Sequence, residues 1–152
     1  MSWRTAIDAA YARRAGDARA RYDPPAVPSE LRRVEGDVGC VLPAEFAGLL
    51  LETNGFIELI AVDGDWIEDM WVVWTAEETR RRNMALRRGA HGFPGGALAF
   101  ADAGADGIIF GLDLSAENPG VFAWYPITSE RREMASSLRE FLPAWIAGDL
   151  TV

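Results

Sequence analysis

Residues 31–55 read LRRVEGDVGCVLPAEFAGLLLETNG and hold the clearest local pattern in the chain. Leu31, Val34 and Val38 recur at the spacing of one helical face. Gly39 follows directly, and glycine readily takes the left-handed conformation that closes a helix. The first half of this stretch therefore predicts a short amphipathic helix that ends at Gly39.

A second helix is predicted after a short link. Pro43 suits its first turn, where the missing N–H removes no helical hydrogen bond. Phe46 and Leu50 belong to an apolar stripe at helical spacing. Asn54 and Gly55 follow the stripe, and Gly55 is free to adopt a positive φ. The second half of the stretch therefore predicts a helix that ends at the Asn-Gly pair.

Segments rich in aromatic and β-branched residues follow residue 55. The links between most of them are too short for helical crossovers, which indicates antiparallel pairing. Capping boxes at Thr75 and Ser137 predict one inserted helix and one final helix. Together these elements predict an α+β fold, with helices packed on a central, mostly antiparallel sheet of about five to six strands. The predicted strands are 56–62, 66–74, 97–101, 108–112 and 121–125.

The N-terminal segment is predicted to be helical. Ser2 is a good N-cap, and apolar side chains at helical spacing continue to Tyr22. The prolines of residues 24–28 cannot continue a helix. We therefore expect residues 1–22 to form an additional N-terminal helix on a single domain spanning residues 1–152, a length typical of one domain.

The charge balance narrows the classes of partner. The chain has 15 basic and 23 acidic residues, a net charge of −8, and every basic residue is arginine. Phosphate binding needs basic side chains on a common face, so this balance disfavours nucleic acid. No apolar run approaches the roughly 20 residues that span a bilayer, and no secretory signal pattern opens the chain. We expect a cytoplasmic protein that binds neither nucleic acid nor membrane.

Residues that usually carry catalysis or hold metal ions are sparse. Cys40 is the single cysteine, which excludes an internal disulfide, and we expect it to be buried as a small apolar group. His91 is the single histidine, and its Gly-rich loop favours a solvated side chain. The acidic turn at residues 63–65 lacks the calcium-loop frame, and no phosphate loop or Gly-x-Ser-x-Gly motif occurs. The sequence therefore predicts no catalytic residue, no cofactor and no metal ion.

Acidic and aromatic residues concentrate in the middle of the chain. Residues 40–79 contain nine acids and no base. Trp66 and Trp71 have opposite parity on a regular strand, so at least one should lie on the second face of the sheet, which is either covered or open for binding. Tryptophan anchors many interfaces, and acidic side chains speed encounter with a basic partner. The candidate partner-binding residues are Asp63, Asp65, Trp66, Glu68, Asp69 and Trp71.

The order of these motifs resembles the SUKH superfamily in its Smi/Knr branch. Residues 31–55 share its short helix ending in Gly, its Leu-Pro pair, an aromatic residue three positions on, and a closing Asn-Gly. Residues 100–113 are similar to its strand, Gly/Asp-rich turn and strand ending in Asp, although Ala105 stands where many relatives have Gly. With a closing helix near residues 137–142, the resemblance covers about residues 28–147. It assigns structural roles to Gly39, Leu42, Pro43, Phe46, Leu50, Asn54, Gly55, Phe100, Gly104, Asp106, Gly107 and Asp113.

The resemblance implies a binding role without catalysis. Many bacterial members are immunity proteins that bind and block a cognate toxin domain, often a nuclease, while other members act as regulatory scaffolds. Three hypotheses therefore stand: an immunity protein that uses the acidic, aromatic surface, a regulatory or scaffold module for another protein, and an enzyme or sugar binder that uses a tryptophan-rich sheet face.

Overall fold

Helices and strands follow one another along the chain in the order that the sequence pattern predicts, with one additional strand near each end of the chain. The computed structural model describes residues 1–89 and 92–152. The helices are α1 (Trp3–Arg13), α2 (Pro28–Val38), α3 (Ala44–Glu52), α4 (Ala76–Arg88) and α5 (Leu138–Ala147). The strands are β1 (Ala18–Tyr22), β2 (Phe56–Val62), β3 (Asp65–Val73), β4 (Ala97–Asp102), β5 (Ile109–Asp113), β6 (Val121–Tyr125) and β7 (Glu130–Ala135).

The strands form two antiparallel sheets. One sheet has the order β1-β2-β3 and the other the order β4-β5-β6-β7. The sheets meet where the backbone N–H of Trp74, just after β3, donates to the carbonyl of Phe100 in β4, at 3.0 Å. The α+β expectation is confirmed, and the described residues form seven strands in two sheets rather than five to six in one.

The prediction of one helix over residues 1–22 is wrong. Helix α1 ends at Arg13 because Arg14 is extended, with a ψ of 141°, and Gly16 has a φ of +90° before β1. Residues 18–22 read Ala-Arg-Ala-Arg-Tyr, a period-two pattern that suits a half-buried strand. They form β1, which pairs antiparallel with β2.

Strand β7 is absent from the sequence prediction. Its residues, Glu-Arg-Arg-Glu-Met-Ala, lack apolar alternation, and the first four are exposed. The strand lies at the edge of its sheet and pairs only with β6. Charged side chains are common on edge strands because they oppose pairing with other chains.

The 31–55 motif forms α2 and α3 as predicted and joins them to the core. Gly39 ends α2 with a φ of +81°. Leu42, Phe46 and Leu50 are buried, whereas Pro43 is the N-cap of α3. The Asn54 side chain also contacts the start of α4, where its Oδ1 accepts a hydrogen bond of 2.7 Å from the N–H of Ala76. The motif therefore links three helices.

The second motif forms β4, a tight turn and β5. Phe100 is fully buried and its ring lies 6.0 Å from the ring of Phe46 in α3. Gly104, Asp106 and Gly107 all have positive φ in the turn. Asp113 accepts hydrogen bonds from the Ser115 hydroxyl and backbone N–H and from the Arg131 guanidinium, and these hold the pKa of its carboxyl at about 2. Asp113 thereby ties β5 to β7.

Candidate functional site

Three predicted site residues lie together on one face of the first sheet. Trp66, Glu68 and Trp71 pair with alternate residues of β2, namely Ala61, Leu59 and Ile57. Alternate residues of a strand share a face. The register shifts at Glu58/Leu59 because Asp69 is an extra residue in β3, and this bulge brings Trp71 onto the face of Trp66. The opposite parity predicted for Trp66 and Trp71 is therefore wrong, because β3 is not a regular strand, although the second face of the sheet does carry a tryptophan.

Two arginines of β1 complete this face. Arg21 forms an ion pair with Glu68 across the sheet. The Arg19 guanidinium lies 4.2 Å from the centre of the Trp66 ring, a cation–π arrangement. We call Arg19, Arg21, Trp66, Glu68 and Trp71 the outer face. The run of acids without a base at residues 40–79 therefore does not give a purely acidic surface, because β1 supplies positive charge in space.

The outer face is accessible to a partner. Trp66 is 41% exposed, Trp71 is half-buried, and Arg19, Arg21 and Glu68 are exposed. In contrast Trp3, Trp74 and Trp124 are buried. The strand pattern of residues 18–22 was the sequence signal that could have identified the two arginines of this face.

The remaining predicted acids lie elsewhere on the β2–β3 hairpin. Asp63 is in the turn with a φ of +51°. Asp65 is the first residue of β3 and, by alternation, points away from the face of Trp66. Asp69 is the bulge residue and lines a groove next to Met70 and Glu58. The structure thus groups the aromatic candidates and distributes three of the four acids around the hairpin.

A buried carboxylate occupies the opposite face, and sequence reasoning did not select it. Glu58 lies in the middle of the apolar strand β2, and its side chain is 8% exposed. Its Oε1 accepts a hydrogen bond of 3.1 Å from the Tyr11 hydroxyl and forms an ion pair with Arg14. Burial, together with the charge and hydrogen bond of Glu58, raises the pKa of Tyr11 far above its usual value. An acid inside an apolar strand is the signal that could have identified it.

Stability should fall at alkaline pH. Because Tyr11 stays protonated in the fold, its contribution is complete below the unfolded pKa of about 10 and is lost as pH rises above it. By pH 11 Tyr11 alone should cost about 1.4 kcal/mol of the free energy of unfolding. The chain has no lysine, and burial also raises the pKa values of Tyr22 and Cys40, so both add to this loss.

The free energy of unfolding in urea, measured from about pH 8 to about pH 11, tests this expectation. Tyr11→Phe should lose less stability above pH 10 than the wild type, since it removes the titrating hydroxyl. The matched control Tyr125→Phe should keep the wild-type loss, because no described residue hydrogen-bonds the Tyr125 hydroxyl. Parallel curves for Tyr11→Phe and wild type would contradict the assignment.

The remaining residues of the types that often carry catalysis or bind metal ions form no metal site in the described part of the chain. His91 lies outside the described residues. Cys40 is half-buried, which is less than the full burial expected. Within residues 1–89 and 92–152, no group of three or more His, Cys, Asp or Glu side chains is arranged to hold a metal ion. In the same ranges, no helix combines the length and apolarity of a membrane span.

Most of the chain matches the model of a known protein family. The model described as SMI1 / KNR4 family (SUKH-1) matches residues 25–144. The match includes both motif segments and the β2–β3 hairpin, and it begins after β1. Arg19 and Arg21 are therefore outer-face residues that precede the matched region. No curated protein matches the chain.

Proposed function

The chain belongs to the SMI1/KNR4 family (SUKH-1), and from this premise we propose that it is an immunity protein. In this role it is a non-catalytic domain that binds a cognate toxin domain, one candidate class being a nuclease, and neutralises it. The outer face is the proposed contact surface. The family assignment supports the general role, and the outer face supports this particular surface.

The single observation that carries the surface assignment is the exposed indole of Trp66 beneath the Arg19 guanidinium. Tryptophan and arginine are enriched among the residues that dominate binding energy at protein interfaces. The indole is held on a strand rather than on a mobile loop, so little conformational entropy is lost when it binds. The stack of Arg19 on Trp66 is therefore a pre-organised anchor.

The outer face itself carries two arginines and one glutamate, but the charge around it supports a basic partner. The chain carries a net charge of −8, and Asp63, Asp65 and Asp69 lie on the hairpin that holds the outer face. A nuclease domain presents basic side chains because it binds phosphate. Opposite charges raise the rate of encounter between two proteins, and salt weakens the effect.

Complex formation in solution tests the proposal. The partner to purify is the C-terminal domain encoded by the reading frame immediately upstream. We expect a stable complex on gel filtration and loss of the toxin domain's activity when this chain is added. A toxin domain that remains separate and active would favour the alternative, a regulatory or scaffold module for another protein.

Removing the Trp66 anchor should weaken this complex. Trp66→Ala is expected to cost at least about 2 kcal/mol of binding, which is a rise of roughly 30-fold in Kd. Titration calorimetry measures this change. Ile127→Ala is the matched control, since Ile127 is 82% exposed but lies after β6 in the other sheet. Equal Kd values for the two variants would exclude the outer face as the contact surface.

A further inference from the structure

A groove of about 500 Å³ lies on the opposite side of the β2–β3 hairpin from the outer face. Side chains from β2, β3 and α5 meet there, together with Arg14, which directly follows α1, and with residues that follow α5. Its walls combine apolar and charged groups. The residues that matter for its chemistry are Arg14, Glu58, Asp69, Met70, Trp145 and Leu150.

Glu58 presents one free carboxylate oxygen to this groove. Both the Tyr11 hydroxyl and the Arg14 guanidinium bind its Oε1. No residue in the described part of the chain donates a hydrogen bond to Oε2. Oε2 is not among the described buried side-chain atoms that lack a partner, so it is accessible from the groove and free to accept a hydrogen bond from a bound group.

The charge of the groove favours a cation. Arg14 is its single basic lining residue and is already engaged by Glu58. Asp69 is exposed and forms no ion pair with any residue in the described ranges. The lining therefore carries two carboxylates against one guanidinium.

The walls of the groove favour a flat, long side chain. The indole of Trp145, which packs on Phe110 and Phe141, and the apolar side chains of Met70 and Leu150 line the same groove as the two carboxylates. A guanidinium has five N–H donors, can bind more than one carboxylate oxygen and stacks on aromatic rings, whereas an ammonium group is a strongly hydrated point charge. Its aliphatic stem packs on apolar surface.

We propose that this groove receives an arginine side chain of the protein partner, with Glu58 and Asp69 as acceptors and Trp145 as the stacking surface. The inference rests on the proposed function and adds the chemistry of one partner residue. The groove and the outer face lie on opposite sides of the hairpin, and β3 is the edge strand of its sheet, so a partner that covers this edge contacts both.

The experiment uses the full chain, labelled with ¹⁵N, and N-acetyl-arginine amide as the probe. At low ionic strength we expect saturable shifts of the Trp145 indole N–H and the Met70 amide, with a Kd on the order of 1 mM. N-acetyl-citrulline amide, a neutral analogue of similar shape, should leave these signals unchanged. N-acetyl-lysine amide should bind at least about threefold more weakly.

Two matched variants assign the effect to the groove. Asp69→Asn should raise the Kd of the arginine probe about three- to fivefold. Glu117→Gln removes an exposed carboxylate from the loop between β5 and β6, outside the groove, and should leave the Kd unchanged. Absence of shifts, equal binding of citrulline or lysine, or an unchanged Kd in Asp69→Asn would overturn the proposal. The probe experiment needs no toxin, so its failure is distinguishable from failure of the immunity role.

Discussion

Gly55→Ala should lower the free energy of unfolding by about 3–5 kcal/mol. Gly55 has a φ of +72°, which an alanine adopts only with strain. A Cβ at this position would also lie 2.5 Å from the Val73 carbonyl oxygen and 2.8 Å from the carbonyl carbon of Trp74. Both obstacles are backbone atoms at the end of β3, so neither can rotate away. Urea unfolding near neutral pH measures the loss.

Gly64→Ala is the matched control for this prediction. Gly64 has a φ of +85° in the β2–β3 turn, but no heavy atom lies within 4 Å of the added Cβ. It should therefore show the conformational cost alone, about 1 kcal/mol. If the two alanine variants lose the same stability, the close approach of Gly55 to β3 is not what requires glycine there.

Phe100→Ala should cost about 3–5 kcal/mol of the free energy of unfolding. Phe100 is fully buried, and its ring lies 6.0 Å from the rings of both Phe46 in α3 and Phe141 in α5. Truncation removes apolar burial and leaves a cavity between a strand and two helices, which can close only in part. Urea unfolding at about 25 °C measures this loss.

Ile127→Ala tests whether this loss depends on burial. Ile127 is an exposed apolar side chain after β6, and its truncation should change stability by no more than about 0.5 kcal/mol. A loss below about 1 kcal/mol in Phe100→Ala would show that the aromatic contact among β4, α3 and α5 does not hold the core together.

The parts of the fold that the sequence predicts correctly are those with local causes. Residues 31–55 contain their own start, apolar stripe and stop, and Gly39 and Gly55 both take the expected positive φ. Strand β7 has no such local cause, because its charged residues become a strand only by pairing with β6. The division into two sheets depends on which strands pair over long distances, which the spacing of turns does not determine.

The candidate site, like the fold, depends on long-range strand pairing that the sequence does not reveal. Strand parity predicts that Trp66 and Trp71 lie on opposite faces, which is wrong, although the exposed Trp66 does lie on the second face. The shared face of Trp66 and Trp71 depends on the bulge at Asp69, for which the sequence has no local signal. Arg19 and Arg21 reach the face from β1, through a pairing between segments far apart in the chain. The charge of the outer face therefore differs from the charge pattern along the sequence.

The most direct test of the immunity role is a co-expression rescue. The C-terminal domain of the upstream reading frame is expressed in bacteria with and without this chain, and survival is scored. We predict that the toxin domain kills the cells, that this chain restores survival, and that Trp66→Ala restores it less well than Ile127→Ala. A domain that is harmless alone, or that kills equally in the presence of this chain, would contradict the proposed function.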